Sequence, residues 1–257
     1  MTLLRLLSNE LDIRQSPQGE SRVEGLYVRR DAFDGWDDGV AMRSDTVARP
    51  QAHGDFDMPG FLAGRLMPFS GWAIAERPAS LEMLRDRFIG HGADGAKFRV
   101  TVIRNGRELW ADARLAAGQV PTFKDVGTGR RAAWKTAWWF PDPRKYGHLH
   151  TFGPAATVQA FHEGNFPALS ELVVTGSAAG GYTITGPGGR EIVISRPLVS
   201  GTPHRFEMRT GRLYVGGSRV IGGVARAELF TIPSGLPATE ISVSAGLLTV
   251  EVHDTYI

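Results

Sequence analysis

At 257 residues, with 42% hydrophobic and 22% charged side chains, the chain is long enough for one large globular domain or two ordinary ones, and its composition excludes a disordered tail. Twenty-nine Lys and Arg against 27 Asp and Glu leave a formal charge of +2 without any basic stripe, which argues against nucleic-acid binding. The absence of cysteine removes disulfides, thiolate metal sites and cysteine nucleophiles together.

The opening MTLLRLLSNELDIRQ has only a short apolar run, broken by Arg5 and closed by Glu10 and Asp12, so no secretory signal is expected. No stretch approaches the roughly 18 apolar residues of a membrane span, and folding in a cytoplasm is the expectation. Thirty-two Gly and 15 Pro punctuate many short apolar segments, as in a mainly β protein. Strands are predicted at GLYVRR (Gly25 to Arg30) and from Trp72 to Ala75. One helix is predicted from Ser80 to Phe88, with Ser80 as cap, Glu82 in the first turn and Gly90 stopping it in the left-handed conformation. Next, KFRVTVIRNGRELWADARL reads as a hairpin: Phe98, Val100 and Val102 alternate with Arg99, Thr101 and Ile103, and Asn105-Gly106 suits a type I′ turn.

The texture changes near residues 150 to 165. All six Trp lie at or before Trp139 and all four Lys at or before Lys145. Beyond, short strands recur about every ten residues, as in a β-sandwich: ELVVTG, GYTITG, REIVIS, HRFEMRT, RLYVGG, ARAELFTI and EISVSAGLLTVEVHDTYI. The division is drawn as residues 1–150, a β-rich domain with one short helix, and 151–257, the sandwich.

Sites of chemistry are few. His148 and His150, two apart, could share one side of a strand and take His162 or Glu163 as a third metal ligand, but two of seven histidines fall so spaced by chance. Asp31, Asp34, Asp37 and Asp38 cluster as calcium ligands do, yet miss the EF-hand order and read as a turn. SAAGGYTITGPGG lacks GK[ST], and G-x-S-x-G does not occur. No motif argues for an enzyme, a cofactor or a metal. Trp134, Trp138 and Trp139 could stack sugars, but strand alternation turns Trp138 and Phe140 away from Trp139, which favours core and interface packing. In the sandwich only Tyr182, Tyr214 or Phe206 could serve a sugar.

Four passages, in order, resemble the distal tail proteins of long, flexible-tailed bacteriophages, the minor tail proteins of phages of GC-rich hosts in particular. They are RVEGLYVRRDAFDGWDDG; VARPQAHGDFDMPGFLAGRLMPFSGWAIAERP; AWKTAWWFPDPRKYG; and the stretch from GNFPALSELVVTG through RLYVGG to FTIPSGLPATEISVS. The third carries the signature, a strand ending in Pro-Asp-Pro-x-x-Tyr-Gly: Trp139, Phe140, Pro141, Asp142, Pro143, Tyr146 and Gly147. The resemblance implies a galectin-like C-terminal sandwich and a virion structural protein of the tail tip, assembled in the host cytoplasm. It also implies a six-membered homo-oligomeric ring built by the N-terminal domain, joining the tail tube protein to the tail-tip hub or baseplate, and in some phages carrying receptor-binding proteins. The signature residues are then a structural corner without chemistry, where two prolines cannot join a ladder. The alternative is a carbohydrate-binding adhesin module that contacts the host surface.

Overall fold

The structure, a computed structural model, describes residues 4–15 and 23–257. The chain is mainly β and divides into two compact units, Met1–Lys145 with Ile257, and Tyr146–Tyr256.

The first unit runs β1 (Arg5–Ser8), β2 (Leu11–Gln15), β3 (Gly25–Phe33), β4 (Met42–Arg43), β5 (Phe61–Leu62), β6 (Arg65–Ile74), α1 (Pro78–Gly90), β7 (Phe98–Arg104), β8 (Arg107–Leu115), β9 (Thr122–Asp125) and β10 (Arg131–Phe140). Seven of these strands close into a barrel in the order β8-β7-β1-β2-β3-β6-β10, and the seam is Trp138 and Trp139 of β10 opposite Leu115 and Arg114 of β8. Closure leaves no free edge among those seven, while β9 adds outside the seam onto β10. β2 and β3 pair in parallel.

Alternation fills the interior. Met67, Phe69 and Ala73 of β6 point inward with Trp134, Trp138 and Phe140 of β10 and Val100 and Val102 of β7. Phe69 meets Trp138 and Trp134 edge-on, with ring centroids 4.6 and 5.6 Å apart. Gly71 of β6 is forced to be glycine, because a Cβ there would lie 1.9 Å from the Tyr27 carbonyl oxygen.

The predicted hairpin is present as β7 and β8, with Asn105 and Gly106 at φ 56° and 75°. The strand expected at Trp72 to Ala75 instead begins at Arg65 and runs through Pro68. Pro68 is tolerated because its carbonyl and missing N–H face β3 where the register of β3 shifts, between Val28 and Phe33. The helix also differs from expectation. It begins at Pro78 after Arg77, so Ser80 does not cap it and its first turn carries no acid. Proline at the first position already has a helical φ and needs no partner for an N–H. Gly92, with φ 70°, takes the left-handed turn assigned to Gly90, which remains helical. Leu81 and Phe88 of α1 are buried in the barrel core, Phe88 against Trp134 at 5.2 Å. The β1–β2 hairpin had no counterpart among the predicted strands.

The second unit comprises β11 (Lys145–Ala155), β12 (Thr157–Ala160), β13 (Glu171–Thr175), β14 (Tyr182–Thr185), β15 (Glu191–Ile194), β16 (His204–Glu207), β17 (Arg212–Val215), β18 (Ser218–Val220), β19 (Val224–Ala227), β20 (Thr239–Val243) and β21 (Leu247–Tyr256). One sheet is ordered β18-β17-β16-β13-β21-β11 and the other β12-β20-β14-β15-β19. Leu172, Val174, Phe206, Leu248 and Val250 of the first share a core with Ile184, Ile192, Ile194 and Ile241 of the second. The ARAELFTI strand is shorter than expected: β19 ends at Ala227, and Phe230 and Ile232 enter the core from irregular chain.

Candidate functional site

The segment from Trp139 to Gly147 joins β10 to β11 through residues 141–144. Trp138 and Phe140 are buried, whereas Trp139 is 41% exposed on the other face of β10, as alternation requires. Pro141 and Pro143 flank Asp142, whose Oδ1 accepts from the Arg144 backbone N–H at 3.2 Å, a local Asx turn. Tyr146 is buried, and its hydroxyl accepts from Arg209, whose guanidinium also lies 5.2 Å from the ring. The Gly147 carbonyl lies 3.1 Å from His253 Nδ1.

Beside this corner sit two buried cations that sequence reasoning did not single out. Arg65, at the start of β6, is only 2% exposed. Its Nη1 donates to the carbonyls of Gly35, Trp36 and Asp38 at 2.5, 3.1 and 2.7 Å, and its Nε to the Pro143 carbonyl at 3.3 Å. Lys145 Nζ donates to the same Trp36 carbonyl at 2.9 Å. One acidic turn, DGWDD, is thereby clamped to the Pro-Asp-Pro corner, and Trp36 packs into the barrel core 5.7 Å from Phe140. Gly35 has φ 83°, and a Cβ there would lie 2.1 Å from the Leu66 carbonyl oxygen, so this approach too requires glycine.

Electrostatics follow from burial. Removal from water, with the neighbouring Arg65 charge acting in the same direction, pulls the Lys145 pKa down to about 8. Burial also lowers Arg65, opposed by the charges of Asp38 and Asp37. Asp37 in turn pairs with Arg104, and Asp38 Oδ2 accepts from the Gly35 N–H at 2.7 Å. Of the four aspartates read as a turn, Asp37 and Asp38 are thus engaged within the protein; the Asp31 side chain lies outside the described residues. A signal for Arg65 was present: it shares the inward parity of Met67, Phe69, Gly71 and Ala73 along β6. Nothing comparable marked Lys145.

The histidines do not converge. His148 and His150 are adjacent, with ring centroids 4.9 Å apart, and His150 Nε2 lies 2.9 Å from Asp254 Oδ1. Both nitrogens of the buried His162 face backbone: Nδ1 accepts from the Gly164 N–H at 3.0 Å, and Nε2 lies 3.3 Å from the Ile232 carbonyl. Burial lowers its pKa, in keeping with a neutral ring. Among the described residues no three His, Asp or Glu side chains group as metal ligands. Of the aromatic residues considered for sugars, Tyr182 and Phe206 are core residues, and the Tyr182 hydroxyl lies 3.1 Å from His204 Nδ1. Tyr214 is half-buried beneath the Arg205 guanidinium, 4.6 Å from its ring.

No protein-family model matches the sequence, and no curated protein sequence matches it. Solved structures do match over the full length. The Dit protein (gp 19.1) of phage SPP1, described as a paradigm of the hub adsorption apparatus in phages infecting Gram-positive bacteria, superposes with a TM-score of 0.68 at 11% identity, covering 99% of each chain. A chain of the phage p2 baseplate in its activated conformation with calcium gives a TM-score of 0.57 at 10% identity, over 100% of this chain and 98% of the other. The same baseplate with strontium gives 0.51 at 10% identity, over 98% of both. The chain thus shares its fold, from end to end, with phage hub and baseplate proteins.

Proposed function

We propose that this chain is a structural protein of a bacteriophage tail tip, assembled in the host cytoplasm and carried in the virion. It forms a ring of six copies that joins the tail tube protein to the tail-tip hub. The observation that carries this reading is the end-to-end likeness to SPP1 Dit, which spans both units at once. A shared barrel or sandwich alone would say little about role. The coincidence of both units, in the same order, with a hub protein is harder to meet by accident. The sequence resemblance to distal tail proteins supports it independently, because it rests on the Pro-Asp-Pro-x-x-Tyr-Gly passage and the order of four segments, not on shape.

In this role the barrel unit builds the ring and the sandwich lies outside it. The corner from Trp139 to Gly147 is structural, fixing the chain's exit from the barrel. The buried positions of Tyr182 and Phe206 remove two of the three aromatic residues on which the adhesin reading depended.

Native mass spectrometry and negative-stain imaging of the concentrated full-length protein test the proposal. Six copies of 27.9 kDa give about 167 kDa, seen as an annulus with a central hole. A species that remains monomeric at high concentration refutes self-assembly into a ring.

A further inference from the structure

Between β3 and β6 the chain leaves the barrel and returns as a long two-stranded arm, residues 39–63. Its base is held by the β4–β5 pairing, Met42 opposite Leu62 and Arg43 opposite Phe61, and by the Ala63 N–H to the Ala41 carbonyl. Farther out, the Phe56 N–H donates to the Val47 carbonyl at 2.9 Å, the Arg49 N–H donates to the Gly54 carbonyl at 3.1 Å, and Ala48 bridges Asp55. Every residue from 41 to 61 is exposed.

Such a ribbon has no stability of its own. Two strands without a third strand or a helix beneath them are marginal in water. This one also carries five large apolar side chains in the open: Met42, Val47, Phe56, Met58 and Phe61. One exposed apolar residue is ordinary, but five on a segment that packs on no core are the makings of an interface. Its tip, residues 49–58, carries Asp55 and Asp57 against Arg49, whose guanidinium lies 5.8 Å from the Phe56 ring.

A surface of opposite character lies elsewhere on the barrel. Register places Leu66, Pro68, Ser70 and Trp72 of β6 on the outer face, opposite Trp139, Ala137, Lys135 and Ala133 of β10. Lys124 of β9 lies opposite Ala133 on that face, and Arg131 of β10 shares it by parity. Arg131, Lys135 and Lys124 are all exposed. Asp125, on this edge, already accepts from the N–H groups of Gly127, Thr128 and Gly129. Leu66, Trp72 and Trp139 supply apolar area. A groove of about 370 Å³ runs along the same face, between Pro68 and Ser70 on one side and Val120 and Thr122 on the other, with Lys135 and Asp34 in its wall. The outer side of β9 is moreover a free sheet edge among the described residues.

We infer that the 39–63 arm of one copy docks on the β6–β10–β9 outer face of a second copy, with the acidic tip on Lys124, Arg131 and Lys135 and the Phe56 and Met58 side chains in the groove. Charge complementarity selects a second copy as the occupant: a tip with two acids against one arginine meets a face with three exposed cations against one acid, Asp34, both supplied by this one sequence. Because arm and face are different patches, the contact is heterologous, and repeating it generates a ring or an open filament rather than a two-fold dimer. The inference rests on the ring reading and names the surfaces that make it.

The natural lack of cysteine makes a direct test clean. The full-length chain carrying Asp57→Cys and Lys135→Cys is oxidised at a concentration where wild type is assembled, and run on a non-reducing gel. The expected result is a ladder of covalent multimers, with no ladder when Lys135→Cys is replaced by a cysteine at the exposed helix position Met83. Phe56→Ser with Met58→Ser, both on solvent-exposed positions, should reduce the assembled fraction at least tenfold while leaving the circular-dichroism spectrum unchanged. Assembly of wild type with no ladder, and with the serine variant assembling normally, overturns the arm contact and leaves the ring standing. A wild-type chain that never assembles and never cross-links overturns both.

Discussion

The clamp of Arg65 and Lys145 on the acidic turn makes a sharp prediction, because the two cations share one acceptor but differ in what each alone supports. Replacing Arg65 with Met removes the donor from the Gly35, Asp38 and Pro143 carbonyls, while the Trp36 carbonyl keeps Lys145 at 2.9 Å. A buried acceptor left without a donor costs about 1–3 kcal/mol. Asp38 is exposed and its carbonyl can turn to water, so one or two acceptors count in full, and the expected loss is about 3 kcal/mol. Replacing Lys145 with Met leaves the Trp36 carbonyl on Arg65 at 3.1 Å and relieves a buried charge. The fall from 10.5 to about 8 corresponds to about 3 kcal/mol of disfavoured protonation at neutral pH. The Lys145→Met protein is therefore expected to be at least as stable as wild type at pH 7. The pH dependence has a definite sign. The unfolded lysine keeps its proton to about 10.5 and the folded one only to about 8, so between these values the unfolded state binds more protons and stability rises with pH. That rise should be present in wild type and absent from Lys145→Met. Urea unfolding at pH 7 and at steps from pH 8 to 10 measures both. A loss of 2 kcal/mol or more at pH 7 in Lys145→Met, or a pH slope unchanged by the substitution, refutes the account.

Other substitutions follow from the same geometry. Trp138→Ala opens a cavity in the barrel core and should cost about 3–5 kcal/mol in urea unfolding, whereas Trp139→Ala, on the outer face, should change stability by less than about 1 kcal/mol. Gly71→Ala drives a Cβ into the Tyr27 carbonyl and should abolish soluble expression of the full chain, read on a gel of the clarified lysate. Asp254→Asn weakens the buried acceptor of the Glu163 N–H, at 2.7 Å, and of His150, and should lower stability by about 1–2 kcal/mol in urea. Pro141→Ala with Pro143→Ala should open a new cleavage between Gly147 and Asn165 in limited proteolysis.

What could be read from the sequence depended on whether a local signal had a single physical meaning. Asn105-Gly106 did: two residues that tolerate positive φ between alternating apolar runs leave little but a hairpin. The alternation Trp138, Trp139, Phe140 did too, and it assigned core and surface correctly in β10. The helix cap misled because Ser80 and Pro78 each suit a helix start, and the sequence alone does not weigh a hydroxyl cap against a pre-set φ. Pro68 concealed the first half of β6, since a proline reads as a break unless the neighbouring strand is known to bulge there.

The clamp was hidden for a deeper reason. Arg65 and Lys145 are 80 positions apart in the chain and serve carbonyls of a third segment, so no window of sequence contains the interaction. The acidic turn was visible, and its aspartates read as a turn without any sign of the buried cations that hold it. The protein supplies its own cations, but chiefly to the backbone carbonyls of that turn and only secondarily to its carboxylates. The turn between Asp34 and Asp38 therefore leaves β3 under internal restraint at the point where the exposed arm sets out. An arm meant to reach another molecule gains from a fixed root, because a docking element held in place loses less conformational freedom on binding than one that swings. The two buried cations, expensive to desolvate, acquire a purpose on this view: they hold the base from which residues 39–63 project.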